Sequence, residues 1–283
     1  MQVLPSARSP EVSIVLNLHN ETRFLRRTMM SIGQAVSFAA PYGINCEIVC
    51  VLDRPDPSTK AWIEAFDFSQ FADHATVEVN NGSLGLSRNE GIAHARGEYI
   101  WLCDADDLIS YNILAGLYRT SVAGGSKTIV IPEFLCAFGA DFHLARYFGT
   151  DKASKLLLFH MHPFISRIFV HRSLFDDLKF GDARLSRGFA YEDWHFNCEA
   201  LARGYEFRVA RQTIFFYRRR ADSLGSAAYD ISVRYPMLSA YHDPANSSGS
   251  ANRILPRIGE SGCSNTSMRK CGAMCSPIGR CSN

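Results

Sequence analysis

The chain has 283 residues, of which 47% are hydrophobic and 20% are charged, a balance typical of a globular protein with one large domain or slightly more. The formal net charge of +2 gives no reason to expect nucleic acid as a partner. The sequence contains no run of about 18 apolar residues, so it predicts no transmembrane helix. The first ten residues lack the basic-then-apolar pattern of a secretory signal. Several of the nine cysteines lie in apolar segments, where a reduced thiol behaves as a small hydrophobe, so we expect a reducing, cytoplasmic setting.

From about residue 11 to 103, short apolar runs alternate with amphipathic stretches, a pattern typical of strands that alternate with helices. This order predicts a parallel sheet covered by helices, a Rossmann-like half. The predicted elements are strand 12–18, helix 21–39, strand 46–52, helix 57–66, strand 75–79, helix 84–97 closed by Gly97 as a C-cap, and strand 98–103.

The next part of the chain is less regular. Several strands close together after an α/β half predict a mixed sheet with a second, smaller portion. The predicted elements are strands 128–134 and 163–170, helix 189–205 with Gly204 at its end, and two final strands, 206–210 and 213–220.

The amino-acid composition of the sequence changes after the last predicted strand. Residues 227–283 are rich in serine and show no convincing periodicity, so we interpret them as a tail that is either flexible or the start of another region, and place the folded domain at 1–226. The last four cysteines lack the paired spacing that is typical of a zinc site: Cys263, Cys271, Cys275 and Cys281.

Three aspartates, Asp104, Asp106 and Asp107, come directly after a predicted buried strand, and Asp53 ends another strand of the same sheet. Ligands of parallel sheets collect at the carboxyl ends of the strands. Mg²⁺ and Mn²⁺ bind carboxylates, often together with substrate phosphates, so this edge is a candidate cation site. The alternative is that Asp106 or Asp107 only caps a helix that begins near Ser110, and we assign that role to Asp107.

A second acidic cluster, Glu192 and Asp193, lies between Tyr191 and Trp194 at the start of a predicted helix. Acids are favoured in a first helical turn by the helix dipole, so a purely structural role would explain them. A carboxylate shielded by two aromatic rings would also be a better proton acceptor than an exposed one. His195 is a further candidate base, although a polar helix residue is the simpler interpretation.

Several familiar nucleotide and catalytic motifs do not occur. The sequence contains no GxxxxGK[ST] loop, no GxGxxG after the first strand, no HExxH and no GxSxG. The segment NNGSLGLSRN, residues 80–89, would bring backbone amides and Arg88 near a diphosphate, or would form an ordinary strand-to-helix turn. The residues alone leave both interpretations open.

Four segments in the same order resemble the motifs of family 2 glycosyltransferases, which have the GT-A fold. They are VSIVLNLHNE, CEIVCVLDRPDPST, NNGSLGLSRNEGIAHARGEYIWLCDADD and YEDWHFNCEALARGYEF, and the resemblance covers roughly residues 11–226. It implies an inverting transferase that takes a sugar from a UDP-, dTDP- or GDP-sugar and uses Mn²⁺ or Mg²⁺. The fold then expected is α/β, a GT-A Rossmann-like mixed sheet flanked by helices with a smaller acceptor-side portion.

The resemblance also implies roles for individual residues. Asp193 matches the catalytic base, and Glu192 matches the acid that orients the base or the acceptor. Asp106 matches the metal-binding residue, with Asp104 near both metal and ribose. The residues expected near the nucleotide sugar are Asn20, Glu21, Asp53, Arg88, Asp104 and, in a closing segment that runs to Arg220, Arg218.

The expected acceptor is a glycan or a lipid-linked glycan in cell-surface polysaccharide synthesis. Such an acceptor would bring the protein to the inner face of the membrane as a peripheral protein. Two alternatives are a metal-dependent nucleotidyltransferase and a non-catalytic sugar-binding module on the same scaffold. A nucleotidyltransferase would normally carry a glycine- and basic-rich loop where this chain has LNLHNETRF. Intact Asp104, Asp106 and Asp193 argue against a module that has lost catalysis.

Overall fold

The computed structural model of the chain describes residues 9–150, 158, 162–184, 190–220 and 240–242. The strands in this part are β1 (Val12–Leu18), β2 (Cys46–Asp53), β3 (Asp73–Val79), β4 (Tyr99–Asp104), β5 (Leu108–Ile109), β6 (Thr128–Gly139), β7 (His143–Arg146), β8 (Phe169–His171) and β9 (Glu206–Arg219). The α-helices are α1 (Thr22–Ala39), α2 (Pro57–Glu64), α3 (Leu84–His94), α4 (Ile113–Gly124), α5 (Leu174–Asp177) and α6 (Glu192–Ala202).

The described strands form one mixed sheet in the order β3-β2-β1-β4-β8-β6-β9-β5, with β7 paired to β6. Strands β3, β2, β1 and β4 run parallel. Strand β8 is antiparallel to both β4 and β6, and β9 runs parallel to β6. The predicted α/β mixed sheet is therefore confirmed, and the change from parallel to antiparallel pairing occurs directly beside β4.

The parallel half forms where its sequence predicts it. All seven residues of β1 are buried, and so are the first seven of β2, because helices and neighbouring strands leave neither face of the central sheet to solvent. Helix α1 presents its apolar residues to this core at intervals of three and four, for example at Leu25, Met29 and Ile32.

Helix α3 lies unusually close to the sheet because of a glycine. A Cβ added at Gly91 would lie 2.4 Å from Cγ1 of Val15 on β1 and 2.7 Å from Cγ2 of Val51 on β2. Any larger residue would push the helix away from the strands. Gly91 therefore sets the height of α3 above the carboxyl edge of the sheet.

The predicted C-cap at Gly97 is wrong. Helix α3 ends at His94, and its C-cap residue Ala95 has an extended backbone. Gly97 is needed for a different reason: a Cβ there would lie 2.6 Å from the backbone nitrogen of Ser13. Its own N–H donates to the Ser13 hydroxyl at 2.7 Å, so the chain passes tightly against β1 before β4 begins.

Two predictions in the second half are corrected. The apolar run 163–170 forms a strand only from Phe169. Its earlier apolar residues Phe164, Ile165 and Ile168 are buried, and the backbone oxygen of Ile168 accepts the N–H of Leu102 on β4 at 3.1 Å. The two predicted final strands are one strand, β9, interrupted by Gln212, which has a φ of 61°. The register against β6 shifts between Pro132 and Phe134, so a bulge breaks the apolar alternation while the strand continues.

Other features follow the sequence or lie outside the described part. Gly204 follows α6 with a φ of 80°, the left-handed conformation expected after a helix. The five cysteines of the described residues are free thiols. None of the helices described is long and apolar enough to cross a membrane. The predicted tail, 227–283, lies outside the described residues except for Ala240–His242, so the boundary at 226 stays a prediction.

Candidate active site

The carboxyl ends of three parallel strands bring the acidic residues to one edge of the sheet. Asp104 ends β4 and pairs in register with Asn17 of β1, while Asp53 ends β2. Asn17 is 7% exposed, and among the described residues neither its amide nitrogen nor its amide oxygen has a hydrogen-bond partner. A buried amide without a partner normally marks a place where water or a ligand completes the hydrogen bonding.

Two arginines hold Asp104. Nη2 of Arg167 lies 2.5 Å from Oδ2 of Asp104, and Nη2 of Arg88 lies 3.6 Å from Oδ1. Burial of this carboxyl raises its pKa, but Arg167 and Arg88 together outweigh burial, so the pKa of Asp104 lies below its usual value. Asp104 is therefore held as an anion.

Asp106 has a different balance of charge. Nε of Arg220 lies 3.2 Å from its Oδ2, and Nη2 of the same arginine lies 3.9 Å from Oε1 of Glu21. Burial raises the pKa of Asp106, and the nearby Asp104 carboxylate raises it further despite the arginines. Burial also raises the pKa of Glu21, whose Oε2 accepts a hydrogen bond from the backbone N–H of His19 at 2.5 Å. Burial is thus the main cause of the raised pKa of both carboxyls, and the nearby arginines offset it only in part.

The predicted capping role of Asp107 is wrong. The helix expected near Ser110 begins at Ile113, with Asn112 at its N-cap position, and strand β5 separates it from Asp107. The signal that misled the prediction is the acidic residue itself, since aspartate is common at helix N-caps.

Asp107 is instead buried and paired. It accepts hydrogen bonds from Nη2 of Arg167 at 2.9 Å and from the backbone N–H of Arg218 at 2.8 Å. Burial raises the pKa of Asp107 to about 7 even though Arg167 lowers it. Asp107 thus ties the end of β4 to β9 and to the segment before β8.

Arg88 joins the two acidic clusters that the sequence predicts. It is 1% exposed, and its guanidinium lies over the ring of Phe180, 5.4 Å from the centroid. Its Nη1 donates to Oε1 of Glu192 at 2.9 Å while Nη2 faces Asp104. Burial raises the pKa of Glu192, and the neighbouring Asp193 raises it further. One buried cation therefore connects the sheet edge to the start of α6.

Asp193 lies at this start of α6 with neutral partners. Its Oδ1 accepts the backbone N–H of Trp194 at 2.8 Å, and its Oδ2 lies 3.7 Å from Nδ1 of His162. Tyr191, directly before the two acids, has a φ of 60°, an uncommon conformation for a bulky residue. The left-handed turn at Tyr191 sets the direction in which Glu192 and Asp193 leave the chain.

Asp53 and Asn20 lie at the other end of the edge. The carboxylate of Asp53 accepts the backbone N–H of Gly82 at 3.0 Å and the hydroxyl of Ser87 at 2.9 Å. The side-chain oxygen of Asn20 accepts the backbone N–H of Asp56 at 2.9 Å. These contacts order the loops that follow β1, β2 and β3 where they meet.

The two arginines of the predicted closing segment have different positions. Arg218 packs its guanidinium against Phe24 and Phe138 and donates from Nε to the backbone oxygen of Asp106 at 2.8 Å. Arg220 faces the carboxylates at this edge. Arg218 thus supports the backbone of the aspartate segment, and Arg220 supplies charge to it.

Sequence patterns did not reveal four residues of this site: Asn17, His162, Arg167 and Asn197. Arg167 stands in an apolar run, and a lone arginine there was the only available signal for it. Asn17 likewise lies within the apolar run that forms β1, so its sequence context gave no indication of a role in the site. His162 reaches α6 only through the tertiary fold, where its Nε2 lies 2.8 Å from Nδ2 of Asn197.

The carboxylates of Asp104 and Asp106 offer oxygen donors of the type that Mg²⁺ and Mn²⁺ bind. A divalent ion would reduce the repulsion between these two carboxylates, which raises the pKa of Asp106 beyond the effect of burial. Within the described ranges, no group of three or more histidine, cysteine, aspartate or glutamate side chains forms a metal cage. The arrangement fits an ion shared with a phosphorylated substrate better than a closed structural site.

The fold is similar to that of TarS residues 1–349 from S. aureus, solved in complex with UDP-GlcNAc, with a TM-score of 0.58 and 16% sequence identity over 77% of this chain and 61% of that one. The UDP complex of the same fragment gives a TM-score of 0.56 at 14% identity, over 78% of this chain and 63% of that one. These similarities and the acidic sheet edge place the protein in the GT-A fold class, as predicted.

The family model described as Glycosyl transferase family 2 matches residues 13–175. The match covers more than half of the chain, and the chain belongs to glycosyltransferase family 2. Its matched segment contains Asp53, Arg88, Asp104 and Asp106, whereas α6 with its acidic pair lies beyond it.

Two curated relatives extend this comparison. Glycosyltransferase GlyG of Streptococcus pneumoniae serotype 4 is 23% identical over 209 residues, which is 66% of this chain and 66% of GlyG. Poly(ribitol-phosphate) beta-glucosyltransferase of Bacillus spizizenii is 28% identical over 113 residues, which is 39% of this chain and 17% of that protein. The match therefore spans less than the full length of both relatives.

Proposed function

We propose that the protein is an inverting glycosyltransferase that moves a sugar from a nucleoside-diphosphate sugar to a hydroxyl acceptor. The observation that carries this proposal is the Arg88 bridge between Asp104 and Glu192. A transferase that inverts needs its donor-binding carboxylates and its base on opposite sides of one sugar. Arg88 holds the two acidic clusters at the separation that a single guanidinium spans.

The donor side supports a nucleotide with free hydroxyl groups. Asn17 has unused donors and acceptors beside Asp104, and among the described residues Nε of Arg88 also lacks a hydrogen-bond partner. Asp53 presents a carboxylate at the same edge and would accept a hydrogen bond from the nucleobase of the donor. Because TarS was solved with UDP and with UDP-GlcNAc, a UDP-sugar is the first donor to test, with dTDP- and GDP-sugars next.

A divalent ion fits this donor side. Asp106, together with Asp104, would hold Mn²⁺ or Mg²⁺, which would offset the repulsion between the two carboxylates. When bound, the ion supplies a positive charge that stabilises the departing nucleoside diphosphate. Arg220 would also stabilise the negative charge of the departing diphosphate, because its guanidinium lies at the Asp106 carboxylate.

The reaction is then a single displacement in which the residues of the chain divide the work. Asp193 accepts the proton of the acceptor hydroxyl as the oxygen attacks the anomeric carbon. Glu192, held by Arg88, positions the acceptor at the face opposite the leaving group. Asp104 remains an anion throughout because of its two arginines and keeps the donor side fixed.

The relatives support a proposal for the acceptor. A poly(ribitol-phosphate) glucosyltransferase is among them, so a cell-surface glycan or a lipid-linked glycan is the acceptor class that we propose. Such an acceptor would place the protein at the inner face of the membrane as a peripheral protein.

The proposal is tested by measuring nucleotide release from UDP-, dTDP- and GDP-sugars with Mn²⁺, in the wild type and in Asp106→Ala and Asp193→Ala. We expect nucleoside diphosphate from one of the donors and a loss of at least about 100-fold in both variants. Full turnover by both variants would contradict the site assignments. Release of sugar 1-phosphate would instead indicate nucleotidyl transfer from these donors, and binding of a donor without turnover with any acceptor would indicate a sugar-binding module.

A further inference from the structure

His162 lies between two residues of α6 that are one helical turn apart. Its Nδ1 is 3.7 Å from Oδ2 of Asp193, and its Nε2 is 2.8 Å from Nδ2 of Asn197. The side chain of His162 is 15% exposed, and Asn197 is 1% exposed. A histidine at this position contacts the proposed base on one side and a buried amide on the other.

Both neighbours select the same neutral form of the ring. The amide NH₂ of Asn197 donates to Nε2, so Nε2 carries no proton. The remaining proton of a neutral imidazole is then on Nδ1, where it points to the carboxylate of Asp193. The opposite form would place the Nδ1 lone pair against a carboxylate and is disfavoured. Burial lowers the pKa of His162, although Asp193 raises it, so the ring is neutral near pH 7.

The ring is also fixed by packing. It stacks on the indole of Trp194 with an interplanar angle of 5° and a centroid separation of 6.0 Å. The indole nitrogen of Trp194 donates to the backbone oxygen of Leu158 at 3.1 Å. The distance from Nδ1 to the carboxylate is longer than a hydrogen bond, and bonds of this kind often tighten only when substrate is bound.

Among the described residues, the side chains of Glu192 and Tyr147 also interact with the carboxylate of Asp193. Glu192 precedes it on α6, and its negative charge is offset by Arg88. Tyr147 follows β7 and has a pKa raised by burial, so it is neutral, and Asp193 contributes to that rise. Unlike Glu192 and Tyr147, His162 has a ring N–H that points to the carboxylate.

We propose that His162, held by Asn197, is a positioning residue for Asp193: its Nδ1–H fixes one carboxylate oxygen while the backbone N–H of Trp194 fixes the other. This inference rests on the proposed role of Asp193 as the base. The remaining lone pairs of the carboxylate then point in one direction, towards the acceptor hydroxyl. A neutral partner orients the base with a smaller loss of basicity than an arginine would cause.

The first test does not depend on activity. Long-range ¹H–¹⁵N NMR of the free protein distinguishes the two neutral forms of a histidine, and Asn197→Asp identifies the His162 signals. We expect the Nδ1–H form at pH 7 in the wild type, and a charged ring in Asn197→Asp, since a carboxylate would then face Nε2. An Nε2–H form or a charged ring in the wild type would overturn the proposal.

The second test uses the pH dependence of kcat. His162→Phe keeps a ring on Trp194 but removes the hydrogen-bond donor. We therefore expect kcat to fall about tenfold while the KM for the sugar donor stays unchanged. The acidic limb of the pH profile of kcat should move to higher pH. Asn197→Asp should move the same limb to lower pH, because a charged ring stabilises the Asp193 anion. His162→Gln, which keeps an N–H donor, should recover part of kcat.

A purely structural role predicts a different result. His162→Phe and Asn197→Asp would then lose activity by a factor that does not depend on pH, and this outcome would overturn the proposal. The exposed His94 of α3 supplies a matched control, since His94→Phe should change neither kcat nor its pH profile. If the wild type transfers no sugar from any donor while the NMR result holds, the proposed function fails and the contact between His162 and Asp193 stands.

Discussion

The carboxylates at the end of β4 and the carboxylate of Asp193 on α6 are similarly buried but have opposite kinds of partner. Asp104 is 17% exposed and faces Arg167 and Arg88, whereas Asp193 is 22% exposed and faces His162. Arginine is always charged and keeps an aspartate ionised, which suits a residue that holds a ligand. A neutral donor orients an aspartate and leaves it able to accept a proton. The partners, rather than the depth of burial, distinguish the two carboxylates and the roles that we propose for them.

The largest effect should come from removing the proton acceptor. Asp193→Asn keeps the shape of the side chain and should lower kcat by about 10²–10⁴, the range that general bases contribute. Donor affinity should change little, because we propose that Asp193 acts on the acceptor and not on the donor. Steady-state kinetics together with calorimetric titration of the donor nucleotide measures both quantities, and a large loss of nucleotide affinity would break the division between the two sides.

The next effect concerns the metal. Chelation should abolish transfer, Mn²⁺ should restore it, and Asp106→Asn should raise the Mn²⁺ concentration for half-maximal activity by about tenfold or more. Asp107→Asn is the matched control, since its carboxylate contacts Arg167 and the backbone of Arg218. Activity that is insensitive to chelation, or an equal shift in both variants, would contradict the metal assignment.

Arg88 offers a test on stability. Arg88→Gln would leave Asp104 and Glu192 with less positive charge in a buried site, so the free energy of unfolding should fall by about 3–5 kcal/mol. Chemical denaturation measures this change. Lys60→Gln removes an exposed ion pair with Glu78 and should leave stability nearly unchanged, which separates a buried bridge from a surface one.

The smallest effect is the pH dependence of stability due to His162. Burial lowers the pKa of this histidine in the folded protein, although Asp193 partly offsets the shift. The unfolded chain then binds a proton more readily, so the contribution of His162 to stability is present above the unfolded pKa of about 6.5 and is lost as pH falls through the folded pKa. His162→Phe should therefore show a weaker loss of stability between pH 7 and lower pH in denaturation curves, and an equal loss in both proteins would contradict a neutral ring.

The sequence predicts the parallel half well because its signals are local. The apolar run of β1 and the helical spacing of α1 each depend on residues close in the chain, and the structure places both elements within one residue of the prediction. The acidic edge follows from the same reasoning, since parallel strands end together. Here the resemblance to family 2 added roles, which local patterns do not supply.

The parts that were not predicted depend on distant contacts. Arg167 pairs with Asp107 across 60 positions of the chain, and His162 meets Asn197 across 35. Neither contact leaves a periodic signal. Strand β9 was divided in two because Gln212 interrupts its alternation, and only the pairing with β6 shows that the strand continues. The capping role of Asp107 failed for the same reason, because its partners lie on other elements.

The glycine at position 91 gives the site a dependence on a residue that touches no substrate. Arg88 lies one turn before Gly91 on α3, so the closeness of that helix to Val15 and Val51 determines where the guanidinium lies between its two carboxylates. A single added methyl group at Gly91 would lift α3 and carry the charge outward with it. The position of positive charge in the proposed active site thus depends on the distance between α3 and the sheet. Packing in the hydrophobic core sets that distance.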